Sequence, residues 1–381
     1  MKSSDTLTKF PKEIYEGLVI PKEKRELSVH AEKIVVHSKM TNDDIKAREG
    51  TYFDGKGYEI FDRDVDVYIK GEDGKEKLIA KLRKRVIDPT LIKTGWEGFW
   101  ITAGPSRNRG AAAGPIATES NYWKKKKPVN IRGWSANYQI PGKDISLMRV
   151  NNNVFSSVLG YFNATPFMKL PCRLTSYTER YWKYYKHGLP FIKAIDSCFS
   201  KLVKDKYDLQ LAAAKQKPLL RIDDTAFSSI TINRNFRTAL HVDDGDFKDG
   251  YGNLSVLERG AYHGGYTLLP QFHIGFNVRT GDFLAMDVHQ WHCNTELYET
   301  KEDKEENKNL PRIHKDNLET GTLGAEKIFS RVSFVCYLRE KLRECDMNQT
   351  RKYFQKIGFD PKKNTLHKTL KKRKVPQSDE P

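Results

Sequence analysis

Long apolar runs are missing from this chain of 381 residues. None approaches the ~20 residues that a membrane-crossing helix needs, so no membrane association is expected. The start, Met1-Lys-Ser-Ser-Asp5, lacks the apolar core of a secretory signal, and an intracellular protein is the expectation. Cysteine is scarce. Cys172, Cys198, Cys293, Cys336 and Cys345 are scattered, odd in number and never spaced as CxxC. That pattern argues against a disulfide framework and a zinc finger, so all five are expected to be reduced filler. Acid is also in short supply, with 49 Asp and Glu against 66 Lys and Arg, a net charge of +17. Such a field favours polyanions. Apolar content is low at 38%, yet the length allows one large domain with elaborations or two modest ones.

The basic charge is uneven. Between Arg339 and Val375 stand 13 Lys and Arg against 4 Asp and Glu. A solvated basic tail and a nucleic-acid-binding arm both fit that run. Residues 1–45 are rich in Lys and Glu and read as an extension. Alternation at Val65, Val67 and Ile69 suggests a hairpin turned at Gly71–Gly74, and Leu82–Trp100 reads as helical. Gly104–Pro115 reads as a flexible glycine-rich loop with two arginines. Tyr122–Pro128 and Arg132–Trp134 then interleave basic and aromatic residues, as a groove tracking phosphates would, or as a Lys-rich surface turn would. Pro190–Lys217 has helical spacing. From Phe227 onward short β-rich runs alternate with glycine turns, which indicates a sandwich or barrel. The acidic stretch 296–324 interrupts it as an insertion.

Two short motifs carry chemistry. In His241-Val-Asp243 the side chains at i and i+2 share one face of a strand-like run, Thr238–Asp243. They supply two members of a 2-His-1-carboxylate iron site. Asp287-Val-His-Gln-Trp-His292 supplies the third, 49 residues past Asp243, a gap that suits opposing strands of a double-stranded β-helix. His289 competes for the role, and His292 is preferred because it falls at the strand's far side. In Arg331–Arg339, Val332, Phe334, Cys336 and Leu338 share one face, and Arg331, Ser333, Val335, Tyr337 and Arg339 the other. Arg331 with Ser333 suits the distal carboxylate of 2-oxoglutarate.

With these residues in place, Thr231–Phe247, Gly252–Leu257, Gly264–Pro270 and Gly281–Thr295 resemble the TET/JBP nucleic-acid oxygenases. The branches found in phages, large DNA viruses and fungi are the most similar. The resemblance covers about 225–340, with a weaker echo at Ser106–Gly114 and Pro171–Thr175. It implies Fe(II) held by His241, Asp243 and His292, with 2-oxoglutarate on Arg331 and Ser333. It implies O2-dependent hydroxylation of the 5-methyl group of a pyrimidine flipped out of double-stranded DNA. Asp246 would touch the base and Tyr337 would stack on it. Arg339 stands where TET enzymes often have a histidine, which opens the choice of base. Both 5-methylcytosine and thymine fit, with 5-methylcytosine slightly preferred. Arg237 is a candidate contact behind the metal ligands or to a phosphate.

The expected fold is α+β: a double-stranded β-helix (jelly-roll, cupin-like) core with supporting helices and an N-terminal extension. The segments are an N-terminal accessory region (1–100), a basic helical support (101–218), the core (219–340, insertion 296–324) and a basic tail (341–381). A monomer is expected. Leu370–Val375 resembles a nuclear localisation signal, implying a nuclear address, with the cytoplasm as the alternative. A protein prolyl or lysyl hydroxylase would share the iron site and arginine but leave the positive charge unexplained. An inactive DNA-binding β-helix is disfavoured by the intact ligand set, and a cupin enzyme without 2-oxoglutarate by Arg331 and Ser333.

Overall fold

The computed structural model describes residues 9–71, 74–126, 128–139, 142 and 147–367. In chain order its principal strands are β1 (Glu32–Val36), β2 (Glu59–Phe61), β3 (Val65–Lys70), β4 (Glu76–Arg83), β5 (Pro105–Ser106) and β6 (Val154–Phe162). Then come β7 (Arg173–Leu174), β8 (Ser229–Arg234), β9 (Gly252–Arg259), β10 (Thr267–Leu269) and β11 (Ile274–Phe276). The last are β12 (Phe283–Met286), β13 (Cys293–Asn294) and β14 (Ser330–Tyr337). A 10-stranded major sheet runs β1-β3-β4-β12-β9-β14-β8-β6-β7, with β5 on β6, and a four-stranded minor sheet runs β13-β10-β11-β2. The two-sheet jelly-roll core is as the short alternating runs predict.

Alternation sorts the side chains into two compartments. Leu254 and Val256 of β9 join Phe276 and Leu284 in an apolar layer of β-strand residues. Ile230 and Ile232 of β8, and Val332, Phe334 and Cys336 of β14, face the helices instead. Those helices are α1 (Pro89–Phe99), whose N-cap Asp88 accepts from Thr90, and α2 (Trp182–Leu202). The Phe334 ring sits edge-on between Phe99 of α1 (5.3 Å) and Phe191 of α2 (5.1 Å). Burial on both faces explains why all eight residues of β9 are buried.

Several sequence expectations change. Residues 9–36 are no loose extension: Ile14 is buried, its carbonyl accepts from Trp96, and β1 pairs in parallel with β3 at the sheet edge. The hairpin at Gly71–Gly74 forms, but its second strand β4 runs into the segment expected to be helical, and α1 starts only at Pro89. The long helix begins earlier, at Trp182, and breaks at Val203 into α3 (Lys204–Lys215). Gly104–Pro115 is docked as β5 and a single 3-10 turn, with Ala111–Ala113 buried. The insertion is anchored too, since Arg234 pairs with Asp316 at 2.9 Å and Asn307 bonds the backbone of Ala261.

The tail was drawn from charge, and packing overrides it. Met347–Ile357 is a helix, α4, whose Phe354 meets Tyr161 and Phe359. Cys172 and Cys345, expected to be reduced, form a disulfide across 173 residues, while Cys198, Cys293 and Cys336 are free and buried. The basic motif 371–375 lies outside the described residues.

Helices α1 and α2 approach closely because glycines face each other. A Cβ on Gly98 would lie 2.5 Å from the Gly188 Cα and 2.8 Å from the Tyr184 carbonyl. Backbone cannot retreat as a flexible side chain can. Gly98→Ala is therefore expected to destabilise the protein by about 1–3 kcal/mol through overpacking, read as a lower urea midpoint. An unchanged midpoint would show that the helices separate freely.

Candidate metal centre and its cavity

Three side chains converge at one end of the jelly roll. Beyond β8 the chain reverses at Asn235, whose φ is +49°, and His241 then pairs with His292 as an isolated antiparallel bridge. Each backbone amide donates to the other's carbonyl at 3.0 Å, and the Asp243 amide donates to the Val288 carbonyl at 3.1 Å. The expected strand over Thr238–Asp243 therefore shrinks to one bridge. Asp243 lies two residues past the bridge and ahead of the turn at Asp244–Gly245, so its carboxylate stays on the side of His241 and reaches both imidazoles.

The Nε2 atom of His241 lies 3.7 Å from Asp243 Oδ1, and that of His292 lies 3.6 Å from Asp243 Oδ2. The ligand atoms all fall within 4.8 Å of one another, a set that could hold a metal ion. His241 Nδ1 donates to the Ala239 carbonyl (2.8 Å) and His292 Nδ1 to that of Gln290 (2.9 Å). Those bonds fix the tautomer that presents both Nε2 lone pairs to the centre. Burial, then the neighbouring His292, pulls His241 down to about 4, so its ring is neutral and ready to ligate. Burial pushes Asp243 up, but the His292 hydrogen bond and the two histidine charges outweigh it and hold the carboxyl at about 2. For His292 burial works against charge, and its hydrogen bond to Asp243 lifts it above the ordinary value.

His289 takes no part in this cluster. Its Nδ1 sits 3.2 Å from Asp287 Oδ1, and Asp287 is held in turn by Lys77 at 2.7 Å.

The cluster opens into a cavity of about 1800 Å³. Arg331, Ser333, Val335, Tyr337 and Arg339 all line it, as the period of β14 requires. Arg331 is 4% exposed, and its Nε and Nη2 have no hydrogen-bond partner. Burial lowers its pKa. Close by, Glu258 accepts from the Tyr262 hydroxyl and from Arg279 at 3.2 Å, and its second oxygen accepts from Thr280. The Glu258 carboxylate is thus taken by Arg279, and Arg331 feels it only through the longer-range field. A buried unmatched charge is costly, and an incoming carboxylate would complete both the charge and the orphaned N–H groups. Gly265 leaves the room: a Cβ there would lie 3.0 Å from Arg331 Nε.

The rest of the cavity is donor-rich. Asp246 is 8% exposed with an unpartnered Oδ2, and burial followed by the Asp243 charge pushes its carboxyl well above the ordinary range. Asp246 and Arg339 pair as a backbone bridge. Arg339 donates to Asn163 at 2.6 Å and lies 4.1 Å over Phe162, while the Tyr337 hydroxyl is 3.5 Å from Thr231. Arg237 does not reach the cavity. It pairs with Glu296 at 3.4 Å and lies over Tyr52, although its neighbours Phe236 and Thr238 line the wall.

Sequence reasoning missed Arg109 and Asn233. Arg109 lines the cavity with a buried, unpartnered Nε, and burial lowers its pKa against the opposing pull of Tyr337, Tyr177 and Asp243. The Asn151 carboxamide accepts from the amides of Arg109 and Gly110 and holds this loop inward. Only the Ser106–Gly114 likeness hinted at it. Asn233 was findable, because Thr231 and Asn233 alternate with Ile230 and Ile232 and so face the cavity.

Residues 157–340 match the Tet_JBP family, described as the oxygenase domain of the 2OGFeDO superfamily. "Bifunctional helicase and thymine dioxygenase JBP2" of Leishmania tarentolae is 31% identical over 213 residues, covering 55% of this chain and 17% of that protein. "Thymine dioxygenase JBP1" of Trypanosoma brucei brucei is 39% identical over 149 residues, covering 39% of this chain and 17% of that protein. The chain thus spans only 17% of the length of these relatives. The solved structure of NgTET1 in complex with 5mC DNA aligns with a TM-score of 0.41 and 10% identity, covering 76% of this chain and 84% of that one.

The geometry separates the two candidate histidines. His292→Ala is expected to weaken Fe(II) or Co(II) binding by 100-fold or more, as loss of one of three ligands should, while His289→Ala leaves it within about threefold. Isothermal titration under anaerobic conditions reads both. Equal losses would overturn the assignment.

Proposed function

We propose, from the premise that residues 157–340 belong to the Tet_JBP family of 2OGFeDO oxygenases, that this chain hydroxylates the 5-methyl group of a pyrimidine base in DNA. The observation that carries the reading is one cavity holding both a two-histidine, one-carboxylate face and a buried arginine with orphaned donors. That donor set fits Fe(II), and the arginine fits 2-oxoglutarate. His241, Asp243 and His292 would hold the metal, and Arg331 with Ser333 the distal carboxylate of the co-substrate. When bound, iron, 2-oxoglutarate and O2 supply the oxidation, with succinate and CO2 as co-products.

The chain's own residues then select and position the base. The reacting methyl is inaccessible within a stacked duplex, so the nucleotide is flipped into the cavity. Tyr337 offers its ring as a stacking face. Arg339 and Arg109 present donors to the base edge, beside the buried Asp246. Thymine offers carbonyl acceptors at both positions 2 and 4, whereas 5-methylcytosine places a donor amine at position 4. We therefore favour thymine, reversing the preference read from the sequence, and the thymine dioxygenases among the relatives support that choice. The partner is double-stranded DNA, bound by a monomer. The run 371–375 would provide a nuclear address, with the cytoplasm as the alternative.

Purified protein with Fe(II), 2-oxoglutarate and thymine-containing duplex is expected to form succinate, and mass spectrometry of the digested DNA to show 5-hydroxymethyluracil. Asp243→Ala should abolish turnover. Arg331→Ala should raise the 2-oxoglutarate KM by 10-fold or more, since a charge-assisted bidentate pair is worth about 1.5–3 kcal/mol. Succinate formed with peptides and never with nucleic acid would instead identify a protein hydroxylase.

A further inference from the structure

We propose that the small sheet of Asn130–Arg132, Ser135–Gln139 and Leu147–Val150 is a docking surface for the duplex flanking the target base, which rests on the function proposed above. Residues 121–150 hold seven Lys and Arg against one acid, Asp144. The register sorts them. Asn130 pairs with Asn137, which pairs with Arg149, and Arg132 pairs with Ser135. Directly paired residues share a face, so Asn130, Arg132, Asn137 and Arg149 lie together. Ile131, Ala136, Tyr138 and Val150 take the opposite face, where Ala136, Tyr138 and Val150 pack on Trp123.

On the polar face Arg132 and Arg149 are exposed, while Asn130 and Asn137 are half-buried and Ser135 is buried. Neither arginine has an acidic partner among the described residues. Asn137 donates to Asn130 at 2.6 Å, which orders two carboxamides between the arginines. Arginine and asparagine suit phosphate oxygens and base edges, and a β-ribbon fits a DNA groove. Lys124 and Lys125 extend the positive charge along the preceding helix, with Glu119 meeting Lys124 at 3.2 Å.

The sheet is tied to the cavity. Asn151, just past its last strand, donates to the Trp134 carbonyl at 2.9 Å while its carboxamide oxygen holds Arg109 and Gly110. Trp134 packs against Gly50, where a Cβ would meet it at 2.2 Å, and the adjacent Glu49 lines the cavity. DNA laid on this sheet would thus continue toward the cavity along the segment that Asn151 holds.

The test compares duplex affinity across salt concentration, by fluorescence anisotropy, for the full chain and Arg132→Ala/Arg149→Ala. The slope of log affinity against log salt should shrink by roughly 1.8, about 0.9 for each phosphate contact removed. Succinate formation with a trinucleotide, too short to span the sheet, should persist. If the variant loses that activity too, Lys124→Gln/Lys125→Gln, which leaves the sheet intact, must show the reduced slope. Unchanged slopes overturn the proposal, as does a loss confined to anionic phospholipid vesicles. Failure of the wild type to form succinate with any nucleic acid would sink the proposed function instead, independently of the slopes.

Discussion

The paired backbone bonds between His241 and His292 are the constraint on which the site depends. Two amides and two carbonyls lock residues 51 positions apart into one bridge, and both imidazoles follow from it. Everything else near the metal position is arranged around that clamp. The Asp243 amide docks on Val288, each Nδ1 is tied to a carbonyl two residues back, and the Asp243 carboxylate lies within 3.7 Å of both imidazoles. The site is therefore set by the main chain, with side-chain rotamers filling in the last ångströms.

Charge divides the cavity as sharply as geometry does. At one end stands the buried Arg331 with its orphaned N–H groups, while Glu258 behind it is paired with Arg279. At the other, the neighbouring histidines hold the Asp243 carboxyl low, while burial and the Asp243 charge push that of Asp246, three residues on, upward. Two aspartates on the same short segment are thus shifted in opposite directions.

What could be read in advance depended on whether the signal was local. The alternation of β14 was legible because Val332, Phe334 and Cys336 are apolar while Arg331, Ser333 and Tyr337 between and beside them carry polar groups. The His241–Asp243 pair was legible by spacing, and His292 by its distance along the chain. β1 was not, since a Lys- and Glu-bearing edge strand resembles a solvated extension. α4 was hidden by the charges around Thr350, Phe354 and Ile357. Arg109 and the Cys172–Cys345 bond arise from contacts between distant segments, and no local pattern encodes such meetings.

The placement of Phe334 between Phe99 and Phe191 has a consequence for how the protein can change. β14 is a partition with dry aromatic packing on one side and reactive chemistry on the other. Positions facing the rings are frozen by their neighbours, while those facing the cavity are free of that restraint. The cavity-facing positions of β14, Ser333 and Tyr337 among them, can therefore change without disturbing the aromatic packing behind the strand. New specificities on this framework should be found as changes at every second residue of a single strand.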